Sequence, residues 1–278
     1  MKLLFRSRRS PLILAATVAL ASPLSAQLDP ALLSGMEARA IGPAGMSGRI
    51  TTIDVFRGDP NLVWVGAATG GVWKSDNQGT SWTPVFDDQR VSGIGAIAID
   101  PSDADVVWVG TGEGNPRNSA GVGAGVYKTI DGGETWRLMG LPQSERIHRI
   151  VLHPSDSNVV YVGAMGPAWS DGLERGVYKT VDAGESWTQV LFVDQRTGVS
   201  DLVMDPTNPD KLIAGMWEFR RSPWFFESGG PGSGVFVTTD GGATWRRATE
   251  NELRGGGGPA RSKPRLKPLA NRLGALGL

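Results

Sequence analysis

At 278 residues, with 39 glycines, 10 tryptophans, 40% hydrophobic residues and no cysteine, the chain has the composition of a turn-rich globular β protein held by packing alone. Its formal charge of zero hides an asymmetry. Four basic residues precede residue 27 and six follow Glu250, leaving 18 basic and 27 acidic residues, a net charge of −9, in 27–250, which disfavours a nucleic-acid partner.

The chain opens with a basic run, Lys2, Arg6, Arg8 and Arg9, then the apolar segment Leu12 to Ala21 and small residues up to Ala26. That order predicts a signal peptide over 1–26, and a secreted or periplasmic protein. The apolar run is too short for a membrane span, so no span is expected once the leader is removed.

From about residue 36 to 250 the chain repeats itself. Gly71-Val72-Trp73-Lys74-Ser75, Gly125-Val126-Tyr127-Lys128-Thr129, Gly176-Val177-Tyr178-Lys179-Thr180 and Gly234-Val235-Phe236-Val237-Thr238 each lead through a tight turn to a tryptophan, Trp82, Trp136, Trp187 or Trp245. Those tryptophans lie 54, 51 and 58 residues apart, and a period near fifty filled with short strands predicts propeller blades. The fold expected is all-β: a β-propeller of four-stranded antiparallel blades, about four of them, as part of a larger propeller. Each turn reads Ser/Thr-x-Asp-x-Gly-x-Ser/Thr-Trp around Asp131, Asp182 and Asp240, with Asn77 in the first copy. The carboxylate accepts nearby backbone N–H groups, glycine takes a positive φ, and the indole is expected to anchor the turn in the core, where about 200 Å² of ring is worth roughly 5 kcal/mol.

Between the first two strands of each repeat lies a second turn, Asp59-Pro60, Asp100-Pro101, His153-Pro154 or Asp205-Pro206, which makes His153 a turn residue. The second strands follow as apolar runs: Leu62 to Gly66, Val106 to Gly110, Val159 to Gly163 and Leu212 to Gly215. The loops after them vary most, growing to Met216–Ser233 in the fourth repeat. They should share one face, opposite the Asp-containing turns, with the segments entering each inner strand.

That face is the predicted binding site, built from Arg49, Arg90, Glu113, Arg117, Arg146, Arg196, Trp217, Glu218, Arg220 and Trp224. The competing reading has the arginines and glutamates pairing with one another and the two tryptophans packing an oversized loop. After Glu250 the pattern stops, and 251–278, rich in Gly, Pro and basic residues, reads as a flexible tail, compatible with a fragment or a shifted reading frame.

The repeated turn resembles the Asp box of the BNR-repeat families, which include sialidases, xyloglucanase-like glycoside hydrolases, photosystem assembly factors and the sortilin (VPS10) propeller. Residues 41–250 most resemble exported bacterial proteins of the BNR/sortilin N-terminal type. The resemblance implies the fold more than an activity. The xyloglucanase-like pattern would put an aspartate at about Thr51 or Thr52, where none stands; Asp54 lies too near the far strand end and Asp201 is one residue out of phase. The sialidase pattern needs a tyrosine nucleophile, but Tyr127, Tyr161 and Tyr178 occupy repeat positions and read as core. With two histidines and no Gly-x-Ser-x-Gly, neither zinc nor a nucleophile elbow is expected, and no cofactor, metal or catalytic residue is assigned. The expected function is a non-catalytic scaffold binding a protein, peptide or polysaccharide. The alternatives are a glycoside hydrolase whose carboxylates lie on further blades, and a spacer with no small ligand.

Overall fold

The structure, a computed structural model, describes residues 49–115 and 117–253. The leader, the first residues assigned to the repeats and the tail beyond Leu253 lie outside the described residues. Four antiparallel meanders follow one another along the chain. Blade one is β1 (Ile50–Val55), β2 (Val63–Ala67), β3 (Val72–Ser75) and β4 (Thr83–Pro84). Blade two is β5 (Ile94–Asp100), β6 (Asp103–Thr111), β7 (Val126–Thr129) and β8 (Arg137–Gly140). Blade three is β9 (Ile147–Leu152), β10 (Val160–Ala164), β11 (Gly176–Thr180) and β12 (Thr188–Leu191). Blade four has β13 (Thr197–Asp205), β14 (Asn208–Ser222), β16 (Gly234–Thr238) and β17 (Arg246–Arg247), with β15 (Phe225–Ser228) pairing the far half of β14. A one-turn helix, α1 (Glu250–Leu253), follows.

One correction concerns the fourth repeat. The segment expected as a loop from Met216 is instead the extension of β14 folded back as a hairpin, Phe219 pairing Ser228 and Ser222 pairing Phe225. Its residues alternate from side to side, Trp217 and Phe219 against Glu218 and Arg220, which is the pattern of a strand.

Register explains how the blades stack. Ile97, Ile150 and Leu202 occupy one level of the inner strands β5, β9 and β13, opposite Val109, Val162 and Ala214. Ile94, Ile147 and Val199 sit one step earlier and act as knobs. A Cβ added to Gly66, Gly110 or Gly163 on the preceding blade would lie 2.4 to 2.7 Å from the methyls of Ile94, Ile147 or Val199. Glycine is therefore needed at that point of β2, β6 and β10 so that the next inner strand can approach. The apolar core accordingly runs between blades: Trp64 and Val72 of blade one cluster with Ile94, Ile97 and Ile99 of blade two, and Trp108 and Val126 with Ile147 and Ile150.

The two turn designs behave as local chemistry dictates. Asn61, Ser102 and Thr207 amides donate to the carboxylates of Asp59, Asp100 and Asp205, and the Ser155 amide donates to His153 Nδ1, so the histidine serves as a turn acceptor. In the Asp box, Thr180 Oγ1 donates to Asp182 Oδ1 at 2.6 Å, the Ser186 amide donates to the same oxygen at 2.9 Å, and the Gly184 amide donates to Thr180 Oγ1 at 3.0 Å. Asn77 reproduces the pattern with its Oδ1 as acceptor and adds an Nδ2 donor to Ser81.

The tryptophans that close the boxes of blades two to four, Trp136, Trp187 and Trp245, pack against the core clusters as expected, and they do so half-buried at the blade junctions. Trp136 Nε1 donates to Val85 O at 2.6 Å and Trp187 Nε1 to Met139 O at 2.8 Å, each on the preceding blade. Their rings meet Trp64 and Trp108 edge-on, with centroids 6.2 Å apart in both pairs.

Hydrogen bonds from the flanking hydroxyls and amides hold the carboxyls of Asp131, Asp182 and Asp240 at a pKa of about 2, below the ordinary 3.8. The unfolded chain therefore binds protons at these groups before the folded one does. Their contribution to stability is full above about pH 4 and is lost as pH falls toward 2. Replacing all three by asparagine, which Asn77 shows the turn accepts, is expected to flatten the stability curve between about pH 4 and 2; urea unfolding at a series of pH values measures it.

Candidate functional site

Because each blade is an antiparallel meander, the loops joining second to third strands and those entering the inner strands emerge together, opposite the Asp boxes. On that face the β14–β15 hairpin is the largest feature. It lies across the blade-three loop, where the Arg221 amide donates to Ala168 O at 2.8 Å, and reaches blade two, where Arg221 Nε donates to Asn118 Oδ1 at 2.6 Å. Phe219 is buried with Met165 and Ala168, Trp217 stacks on Phe219 at 4.9 Å, and Phe226 meets Trp217 edge-on at 5.7 Å. Trp217 thus packs the hairpin, with Nε1 donating to Ser228 Oγ. Trp224, at the hairpin tip, is 87% exposed and Phe225 beside it is exposed as well, as is Trp169 on the loop beneath.

Charged groups on this face are mostly paired. Arg49 makes a two-point contact with Glu113, Nε to Oε1 being 2.9 Å, and Glu113 is fully buried. Arg220 Nη1 lies 3.0 Å from Asp171 Oδ1, while Arg196 pairs with Glu227 and approaches Asp171, giving a lattice that ties blade three to the hairpin. Glu218 Oε2 accepts from the Gly232 amide, fixing the return of the chain after the hairpin. Arg146 is buried, its Nη1 2.8 Å from Glu145 Oε2. Arg90 and Arg117 are exposed and have no ion-pair partner among the described residues. The structure therefore joins Arg196, Arg220 and Trp217 around the hairpin, joins Arg49 to Glu113 elsewhere on the face, and leaves Arg90, Arg117 and Trp224 free toward solvent.

Arg175, outside the predicted set, organises the site. Its guanidinium is buried, donates to the carbonyls of Met165, Pro167 and Ser170, and lies 4.9 Å over the Phe219 ring. Burial lowers its pKa to about 10. It shapes the blade-three loop into the bed on which the hairpin rests. Arg221, which bridges to Asn118 and covers Phe226 at 5.0 Å, and the exposed pair Trp169 and Phe225 were likewise absent from the predicted set.

Carboxylates near the inner strands are committed to structure. Asp201 pairs with Gly215 across the sheet as Thr52 pairs with Gly66, so it stands level with Thr52 and one residue from Thr51; its Oδ1 receives Arg149 Nε at 2.6 Å. Asp54 accepts the amides of Ile99 and Val55 at the far strand end, and burial raises its pKa despite those bonds. It borders a cavity of about 290 Å³ walled by Phe56, Ile99, Leu152 and Met204, at the Asp-Pro-turn end of the inner strands and away from the loop face. Tyr127 and Tyr161 are buried and Tyr178 is half-buried. Among the described residues no group of three or more His, Asp or Glu side chains is placed to hold a metal ion, and no helix is long and apolar enough to cross a membrane.

Repeated Asp boxes stapling four-stranded blades, with a variable loop face opposite, define an Asp-box β-propeller protein. The family model described as sortilin, neurotensin receptor 3 (Sortilin-Vps10) matches residues 70–191 and 124–254, and the chain belongs to that family. It is also 25% identical over 213 residues to a xyloglucanase of a Paenibacillus species, covering 67% of this chain and 20% of the relative. A xyloglucanase of Acetivibrio thermocellus is 28% identical over 220 residues, covering 69% and 24%. The chain thus spans about a fifth to a quarter of the length of these curated relatives. Among solved structures it is similar to an ancestral GH74 enzyme, with TM-score 0.55, 21% identity, and 72% and 24% of the two chains covered. The GH74 xyloglucanase of Xanthomonas campestris gives TM-score 0.54, 21% identity, and 75% and 31% covered. The likeness to these solved structures is one of fold.

Removing Arg49 would leave Glu113 buried without a partner. Arg49→Ala is expected to cost about 3 kcal/mol, and Glu113→Ala less, because Arg49 can reach water. A double-mutant cycle by urea unfolding reads the difference.

Proposed function

We propose that this chain is an exported polysaccharide-binding propeller whose loop face holds a β-glucan of the xyloglucan class without cleaving it. The observation that carries the reading is the hairpin of blade four: Trp224 and Phe225 project from its tip, and Trp169 lies exposed on the loop that bears it, over a bed made rigid by Arg175 and the Arg220–Asp171–Arg196–Glu227 lattice. Flat aromatic faces carried on such a bed present apolar area to solvent, which suits the apolar faces of sugar rings. The succession of basic, apolar and small residues over 1–26 supports export.

The absence of cleavage rests on the carboxylates. Glycoside hydrolysis needs two of them about 5 to 10 Å apart, flanking the bond, one free to give up a proton. Here Glu113, Asp171, Asp201, Glu218 and Glu227 are each bound to arginines or backbone amides. A second reading, favoured by the xyloglucanase relatives, makes the chain part of a longer hydrolase whose catalytic carboxylates lie outside it. A peptide or protein ligand on the same face is the third outcome of the test.

Affinity electrophoresis against soluble xyloglucan, mixed-linkage glucan and unrelated polysaccharides is expected to show retardation by xyloglucan, weakened at least about tenfold by Trp224→Ala, a loss of roughly 1.4 kcal/mol. No new reducing ends should appear. Retention by none of the polysaccharides overturns the reading, and cleavage by this chain overturns the non-catalytic part of it.

A further inference from the structure

We infer that the loop face carries a second sugar site, a cavity at the junction of blades two and three that takes a single pyranose ring. It rests on the glycan reading of that face and is built from residues other than those of the hairpin. The cavity, of about 250 Å³, is lined by Leu141, Pro142, Gln143 and Ser144, which lead into blade three, and by Glu174 and Tyr178 of blade three itself. That is smaller than the pockets that enclose drug-sized ligands and suits one ring.

A change of one residue between repeats opens the cavity. The carbonyl that receives the Asp-box indole belongs to Val85 in blade one and to Met139 in blade two, so Phe86 and Gly140 hold the same place. Phe86 is 2% exposed and meets Tyr127 of blade two edge-on at 5.3 Å, which fills the first junction. Gly140 brings no side chain to the second, and Tyr178, the counterpart of Tyr127, is left half-buried against the cavity. The chain then turns through Leu141 and Glu145, neither of them glycine, with left-handed φ of 54° and 55°. The Ser144 amide and Oγ hold this turn by donating to Leu141 O at 3.1 and 2.8 Å. Backbone kept in that region gathers at binding sites.

The polar groups around the cavity are held in place but uncommitted. Gln189 Nε2 donates to the carbonyls on either side of Glu174, Leu173 O at 2.9 Å and Arg175 O at 2.8 Å, and to the Tyr178 hydroxyl at 3.2 Å. Glu174 is half-buried, and its carboxylate makes no hydrogen bond or ion pair among the described residues. The Tyr178 hydroxyl accepts from Gln189 and donates to no described residue; burial, with the Glu174 charge nearby, raises its pKa, so the proton stays. A free acceptor and a free donor on one cavity match sugar hydroxyls, which do both, whereas an ammonium group offers donors alone. Two adjacent hydroxyls can share the carboxylate through charge-assisted bonds. Leu141, Pro142 and the Tyr178 ring supply an apolar wall for the C–H face of the ring. No second carboxylate is among the described residues lining the cavity, so it binds without cleaving.

The test is saturation-transfer NMR with D-xylose, D-glucose and D-galactose on the full chain carrying Trp224→Ala, so that the hairpin tip does not contribute. At least one sugar is expected to bind with a Kd of about 1 mM, weakened about tenfold by Glu174→Gln and about fivefold by Tyr178→Phe. Both substitutions keep the side-chain shape, and an unchanged far-UV circular dichroism spectrum separates lost binding from lost folding. Sugar binding indifferent to both substitutions, or none up to about 50 mM, overturns the inference. So does saturation transfer to methylammonium and to none of the sugars. Retardation of the Trp224-bearing chain by xyloglucan with no sugar bound sinks this site alone, while a sugar held at Glu174 without that retardation supports the site and counts against the polysaccharide reading.

Discussion

The architecture depends on a contact that runs backwards along the chain, from the Asp-box turn of one blade to the aromatic in the second strand of the blade before. At the first two junctions the closing indole meets that aromatic edge-on and donates to a carbonyl of the preceding blade. At the third, Tyr161 takes the aromatic position, and its hydroxyl donates to Gly241 O at 2.8 Å. Lysines of the third strands complete the arrangement: Lys74, Lys128 and Lys179 lie 5.5, 4.7 and 5.2 Å over Trp64, Trp108 and Tyr161, and Lys179 Nζ also donates to Gly241 O. The box glycine is bound to this design twice. Gly184 has φ 96° and a Cβ there would lie 2.7 Å from the Trp108 ring, so a larger residue would strain its own backbone and push the blades apart.

This division of labour frees the opposite face. Turns that must satisfy the stacking geometry repeat with little change, while the loops on the other side answer only to their own packing. Blade four uses that freedom most, carrying a strand fifteen residues long into a hairpin that rests on blade three. A hairpin alone in water is marginal. Here it is held by the buried Phe219, the Arg175 guanidinium above that ring, and ion pairs from Arg196 and Arg220, and its tip is left to present Trp224 and Phe225.

What could be read from the residues is what acts over short distances. The Asp box and the Asp-Pro turn bond within four residues, as Thr180, Asp182, Gly184 and Ser186 do, so residue type and spacing predict them. The blade period follows from those turns. That the tryptophans anchor in the core was legible, but their partners were not, since Trp136 is covered by Trp64 and Phe86 of another blade and only the stacking decides which side it takes. The hairpin left a trace in its side-to-side alternation, but Ser222-Pro223 interrupts the run and reads as loop. Nor could spacing reveal that Arg49 meets Glu113, or Arg221 meets Asn118, partners 64 and 103 residues away. The expected binding set therefore mixed groups spent on structure, such as Arg146 and Trp217, with groups turned to solvent, such as Arg90 and Trp224.

If the backward contact governs the fold, the Asp-box turns, though at the surface, should be among its most protected backbone. Hydrogen exchange of the Gly133, Gly184 and Gly242 amides, which donate to Thr129, Thr180 and Thr238, measures this directly. The account predicts that they exchange together with the core amides of β6 and β10, only through global opening. Exchange as fast as that of the Trp224 and Phe225 amides at the exposed hairpin tip would contradict it.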